Sequence, residues 1–200
     1  MLKNCSILVF IILFLFVSGL NAQDNNKLLE GIAHYYEGSY QEAIRSFGEI
    51  LGDDQANIDA LYYQTLAYLE EHNVIEARNN IKQMEETGYQ FGLIHWKLGS
   101  LYLNTDGYYD SAFYNEARKE LEKSQELGIS TSGFHSDLAM AYQGLGNLEK
   151  AVTEYEIAIE KGAEAEVYIN LANLYQQTGK ISEAMEIYEL AIKENHENIS

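Results

Sequence analysis

Residues 138–158 read LAMAYQGLGNLEKAVTEYEIA and hold two helical patterns parted by a short polar break at 144–147. In the first, Leu138, Ala141, Tyr142 and Leu145 recur at intervals of three and four, the spacing of one helix face. In the second, Leu148, Ala151, Val152, Tyr155, Ala158 and Ile159 do the same. Asn147 stands where a side-chain cap for the second helix belongs. Ala139, Ala151 and Ala158 are small enough to let a neighbouring helix approach closely. The stretch is therefore a helix hairpin with more apolar face than it can bury within itself. It needs neighbours.

The neighbours are in the chain. LAMAY at 138–142 superposes on LANLY at 171–175, and AVTEYEIA at 151–158 on AMEIYELA at 184–191. Upstream, LGSLY at 98–102 with ARKEL at 117–121, TLAY at 65–68 with ARNNI at 77–81, and GIAH at 31–34 with AIRSF at 43–47 answer to the same two helices. The matching alanines Ala43, Ala77, Ala117, Ala151 and Ala184 are spaced 34, 40, 34 and 33 residues apart. A period of 34 carrying L-G-x-x-Y and then A-x-x-x-F resembles the tetratricopeptide repeat (TPR) family.

The resemblance implies an all-α fold, an α-solenoid wound as a right-handed superhelix of helix hairpins. Five repeats are expected over residues 23–200, at about 24–57, 58–91, 92–131, 132–165 and 166–200. The six extra residues of repeat three fall in its internal turn, NTDGYYDS at 104–111. The family's proline is absent from every repeat, and the chain has no proline at all. Gly52, Gly88, Gly128 and Gly162 stand near that place, where a left-handed residue can end a helix. Ser39 with Glu42, and Asn73 with Glu76, carry a capping signal for second helices.

Residues 1–22 belong to another physical class. Lys3 gives a positive start, residues 7–17 are an unbroken apolar run, and Ser18, Gly19, Asn21 and Ala22 form a small, polar exit. This is the layout of a secretory signal peptide cleaved after Ala22. The expected destination is the periplasm or the outside. A membrane-tethered scaffold is the alternative, if the segment is retained. Cys5, the only cysteine, precedes the apolar run, so the mature protein would have no disulfide or thiolate site.

Removal of that segment leaves 12 basic against 31 acidic side chains. Such a surface repels phosphates and anionic lipid, so nucleic acid is not an expected partner. There is no glycine-rich phosphate loop, no nucleophile motif and no histidine pair at metal-ligand spacing. His95 and His135 share the family's tryptophan slot and are expected to be buried structural residues. Residues 53–59 alternate oxygen ligands but lack the turn glycine and distal glutamate of a calcium loop. No enzyme activity, cofactor or metal is expected.

Binding is the function that the resemblance implies, with first helices lining a concave face that grips a polypeptide. By register that face takes Leu28, Ile32, Tyr35 and Tyr36 from repeat one, and Tyr62, Tyr63, Leu66 and Leu69 from repeat two. Repeat three adds Trp96, Ser100 and Leu103, repeat four Ser136, Met140 and Gln143, and repeat five Ile169, Asn170, Asn173 and Gln176. Asn170 and Asn173 match part of the family's carboxylate clamp, but its lysines are missing, so no clamp is assigned. Tyr108 and Tyr109 in the long turn are expected to form a lip. Tyr188, Leu190, Ala191 and Ile192 are expected to leave the last repeat with an apolar end face, covered by a second copy or by the partner.

Overall fold

Apolar residues at helical spacing, interrupted every dozen or so positions by turn residues, leave the chain only one regular structure. The computed structural model of the chain describes residues 22–104 and 111–197, and every regular element among them is an α-helix. Residues 1–21, nearly all of the expected signal segment, and Tyr108 and Tyr109 of the expected lip lie outside the described residues. The helices are α1 (Ala22–Tyr36), α2 (Tyr40–Asp53), α3 (Ile58–Glu70), α4 (Val74–Glu86), α5 (Gly92–Leu103), α6 (Ser111–Glu126), α7 (Ser132–Gly144), α8 (Leu148–Glu160), α9 (Ala165–Gln177) and α10 (Ile181–Glu197). None is long and apolar enough to cross a membrane among the described residues.

Two compact units divide the chain, one ending at Gln90 and one beginning at Phe91. In the first, α1/α2 and α3/α4 are antiparallel hairpins, and α2 packs on α3. In the second, α5/α6, α7/α8 and α9/α10 are the hairpins, with α6 on α7 and α8 on α9. Each is a stack of helix pairs in chain order, the α-solenoid arrangement in which a hairpin buries its core against the next. The first unit's core centres on Leu28, Ile32, Phe47 and Ile50, and the second's on Leu121, Phe134, Leu138, Tyr155 and Leu171.

Small residues set the helix spacing. A Cβ at Gly31 would lie 2.6 Å from the Phe47 ring, and one at Gly99 2.7 Å from Leu121 Cγ. These glycines occupy the place held by Ala139 and Ala172 in later hairpins, both fully buried. The matching alanines of the second helices, Ala43, Ala77, Ala117 and Ala151, are fully buried too, and Ala184 nearly so.

The turns correct part of the sequence reading. Gly88, Gly128 and Gly162 adopt positive φ and end helices, but Gly52 lies inside α2. Ser39 and Asn147 occupy N-cap positions without a side-chain cap hydrogen bond, whereas the Asn73 carboxamide accepts from the Glu76 amide at 3.3 Å.

His95 and His135 are buried, and each is held by a glutamate from the second helix of its own hairpin. His95 Nδ1 lies 2.7 Å from Glu120, and His135 Nδ1 lies 2.6 Å from Glu154. Ser130 meets the other nitrogen of His135 at 2.8 Å. Glu154, in the glutamate-rich helix α8, thus points inward. No cluster of His, Cys, Asp or Glu suited to a metal occurs among the described residues.

Candidate functional site

Tyrosine is amphipathic, and a run of it on first helices leaves rings half covered by their own hairpins. In the first unit Tyr35 meets Tyr36, Tyr40 and Tyr63 at centroid distances of 5.4, 5.7 and 6.4 Å. Tyr62 meets Tyr63 edge-on at 5.2 Å, and Tyr63 stacks on the buried Phe47 at 5.9 Å. Burial raises the hydroxyl pKa of Tyr35, Tyr62 and Tyr63, to about 12 for Tyr63, with neighbouring acids or tyrosines adding to it. The cluster is anchored at Phe47 and opens to solvent at Tyr36, which is 61% exposed. Leu28, Ile32, Leu66 and Leu69 are not part of any accessible face. Their side chains turn into the core, because the apolar stripe is wider than the groove positions alone.

The second unit carries a cleft of about 360 Å³. Leu103 of α5, Met140 and Gln143 of α7, and Asn170 of α9 line it, four residues that the register assigns to the groove. Tyr114 forms a wall of the same cleft, and a Cβ on Gly144 would overlap its ring. Phe113 packs near Tyr102 at 6.5 Å between centroids. Both aromatics that follow the long turn are therefore placed by their own unit.

One carboxamide of the cleft, Gln143, and the groove residue Asn173, which does not line it, are engaged within their own hairpins. The Tyr155 hydroxyl donates to Gln143 Oε1 at 3.0 Å, and the Tyr188 hydroxyl to Asn173 Oδ1 at 2.6 Å. Burial drives the Tyr155 pKa well above the usual phenol value, with Asp137 and Glu166 adding to it.

Half-buried Trp96 stands one turn before Ser100 on α5, with its ring edge-on to Phe134 at 6.2 Å. Its indole N–H donates to Asp137 Oδ2 at 2.7 Å, and the Ser100 hydroxyl donates to the same oxygen. Burial raises the Asp137 pKa, and the two hydrogen bonds pull against that shift. Asp137 escaped the sequence reading, which sought aromatic anchors, although it holds the register position of Asn170 one repeat earlier.

At the far end of the second unit the end-face expectation needs correction. Ala191 is buried between α9 and α10, 5% exposed. Ile192 and Leu190 are exposed, and Tyr188 is half-buried. Ile181 and Met185, 54% and 61% exposed, complete the stripe and were missed.

The family model described as Tetratricopeptide repeat matches residues 134–160 and 165–198, the hairpins α7/α8 and α9/α10. These two hairpins are tetratricopeptide repeats. Among solved structures, MamA 41-end from Desulfovibrio magneticus RS-1 is similar at TM-score 0.77 and 17% identity, covering 91% of this chain and all of that one (100%). A crystal structure of MamA is similar at TM-score 0.73 and 19% identity, over 84% of this chain and 96% of its own. TTC0263, a thermophilic TPR protein in Thermus thermophilus, is similar at TM-score 0.56 and 22% identity, over 86% and 91%. At these identities the likeness is one of fold. No curated protein matches the sequence. TPR folds serve protein–protein interaction, and the first-helix surfaces described above are where this chain offers partly covered aromatics.

Proposed function

We propose that this chain is an exported, non-catalytic TPR adaptor that holds a polypeptide segment against its first helices. The observation that carries the reading is the cleft of the second unit. Leu103, Met140, Gln143 and Asn170 reach it from the first helices of three successive hairpins. Apolar walls with interspersed carboxamides suit an extended chain, whose side chains enter the wall while its peptide groups meet Gln143 and Asn170. The tyrosine cluster of the first unit offers a second, more aromatic contact, of the kind that anchors protein interfaces.

A photo-crosslinking residue placed at Met140, in the native envelope, tests the reading. Discrete adducts are expected there and not from the same residue at Ile75, which is 73% exposed on the second helix α4. Equal labelling at both positions would remove the cleft from consideration. Export is tested separately: N-terminal sequencing should begin at or near Gln23, and an intact Met1 in the membrane fraction would establish the tethered form. The same proposal includes pairing of two copies through the apolar stripe of α10, supported by its exposure.

A further inference from the structure

The cleft has an electrostatic singularity at one end. Its lining is neutral, but one turn before Leu103 and Met140, on the same two helices, Ser100 and Trp96 converge on the Asp137 carboxylate. Across the five repeats this register position holds Leu29, Tyr63, Lys97, Asp137 and Asn170, so Asp137 is its only acid. Both donors that reach Asp137 are neutral, and both use Oδ2. Among the described residues no ion pair engages it, and Oδ1 receives no hydrogen bond.

A desolvated carboxylate with neutral donors alone is costly to keep charged, and a cation arriving with a ligand offsets that cost. The residue beside it is the chain's single tryptophan, whose ring attracts cations. We propose that Asp137 and Trp96 form a seat for a lysine or arginine side chain of the bound polypeptide. The cationic head takes Asp137 Oδ1, while the aliphatic stem lies along the indole and the apolar start of the cleft. The formal net charge of −18 favours such partners in encounter as well, by long-range attraction. The inference rests on the reading of the first-helix face as the binding surface, and adds the chemistry of what it binds.

The test is emission from Trp96 in the full chain, titrated with three blocked decapeptides that alternate serine with lysine, glutamine or glutamate. The lysine peptide is expected to shift the emission and to saturate, and the glutamate and glutamine peptides to do neither. Asp137→Asn keeps an acceptor for Trp96 and Ser100 but removes the charge. It should weaken lysine-peptide binding about tenfold or more, while Glu160→Gln, at an exposed acid outside the cleft, leaves it unchanged. Equal losses in the two variants would mean diffuse attraction and overturn the seat. A glutamine peptide that binds as well as the lysine peptide would also overturn it, while leaving the first-helix reading intact. If no peptide perturbs Trp96, and crosslinks from Met140 are absent too, both fall. Should Asp137→Asn lose its helical circular dichroism, the peptide series on the native protein still decides.

Discussion

At the scale of single residues, composition misleads about which acids are surface acids. Glu154 and Glu160 sit on the same helix and read alike, yet the Glu154 carboxylate, only 14% exposed, is spent on His135. Glu154→Ala should therefore cost about 1–3 kcal/mol, because a buried ring nitrogen loses its partner. Glu160→Ala should stay within about 0.5 kcal/mol. Urea melts of the two variants check this, and equal midpoints would refute the pairing. The burial of His95 and His135 was legible, since both hold a packing slot of the repeat. Their partners were not: Glu120 and Glu154 are 25 and 19 residues away, and no spacing rule links a helix to the far side of its own turn. Asp137 was illegible for a similar reason, since its meaning comes from Trp96, 41 residues earlier on a different helix.

Helix hairpins were the most legible level, because alanine and glycine mark where backbones approach and the period repeats five times. Gly99→Ala should destabilise by about 1–3 kcal/mol, since its Cβ would press on Leu121 and on the Ala117 carbonyl. In four of the five hairpins the turn repeats as well, with one change of residue. Gly38, Gly146 and Gly179 take positive φ before the second helix of their hairpins, and His72 does so at φ 56° in the same place. His72→Gly should gain about 0.5–1 kcal/mol by relieving that left-handed residue, seen as a higher melting temperature. Successive hairpins are also tied by tyrosines. Tyr142 donates to Glu122 at 3.0 Å and Tyr175 to Glu156 at 2.7 Å, each reaching back to the preceding second helix. Burial first, and then those glutamates, push both hydroxyls up to about 12. A raised phenol pKa means that the folded state holds its proton longer than the unfolded chain does. The stabilisation is present below the ordinary tyrosine pKa of about 10 and is lost as pH rises through the folded value. Absorbance at alkaline pH should show tyrosinate appearing late and together with loss of helicity. Phenylalanine at both positions should lower the amplitude of the late phase by two hydroxyls, leaving the share of Tyr35, Tyr62, Tyr63 and Tyr155, which are also raised.

For the molecule as a whole, the question is what the outer helices of its first and last described hairpins offer. In α8 the positions Leu148, Val152, Tyr155 and Ile159 pack into the core that α9 helps to close. The register carries them onto Ile181, Met185, Tyr188 and Ile192 of α10, and among the described residues nothing covers that stripe. The shift of 33 residues, applied throughout, would have found Ile181 and Met185 from sequence and excluded Ala191, the counterpart of the buried Ala158. The first hairpin of the other unit is built differently. Ala33 of α1 is exposed where its counterparts Ala67, Ala141 and Leu174 are buried, and Asn26, Glu30 and Glu37 flank it along the same face. Head-to-tail stacking of copies would press Glu30 and Glu37 onto the Ile181–Ile192 stripe and desolvate two acids, with only the His34 ring, 3.9 Å from Glu30, beside them. A two-fold pairing of α10 with α10 of a second copy sets apolar against apolar and closes on itself. The expected species is therefore a dimer, not a filament. Met185→Glu with Ile192→Glu should convert it to a monomer in sedimentation velocity while shifting stability by no more than about 0.5 kcal/mol, because both side chains are 61% exposed. Tyr188 is left in place, since its hydroxyl holds Asn173 within the hairpin. A native protein that sediments as a monomer at high micromolar concentration, or a variant that still pairs, would refute the two-fold contact.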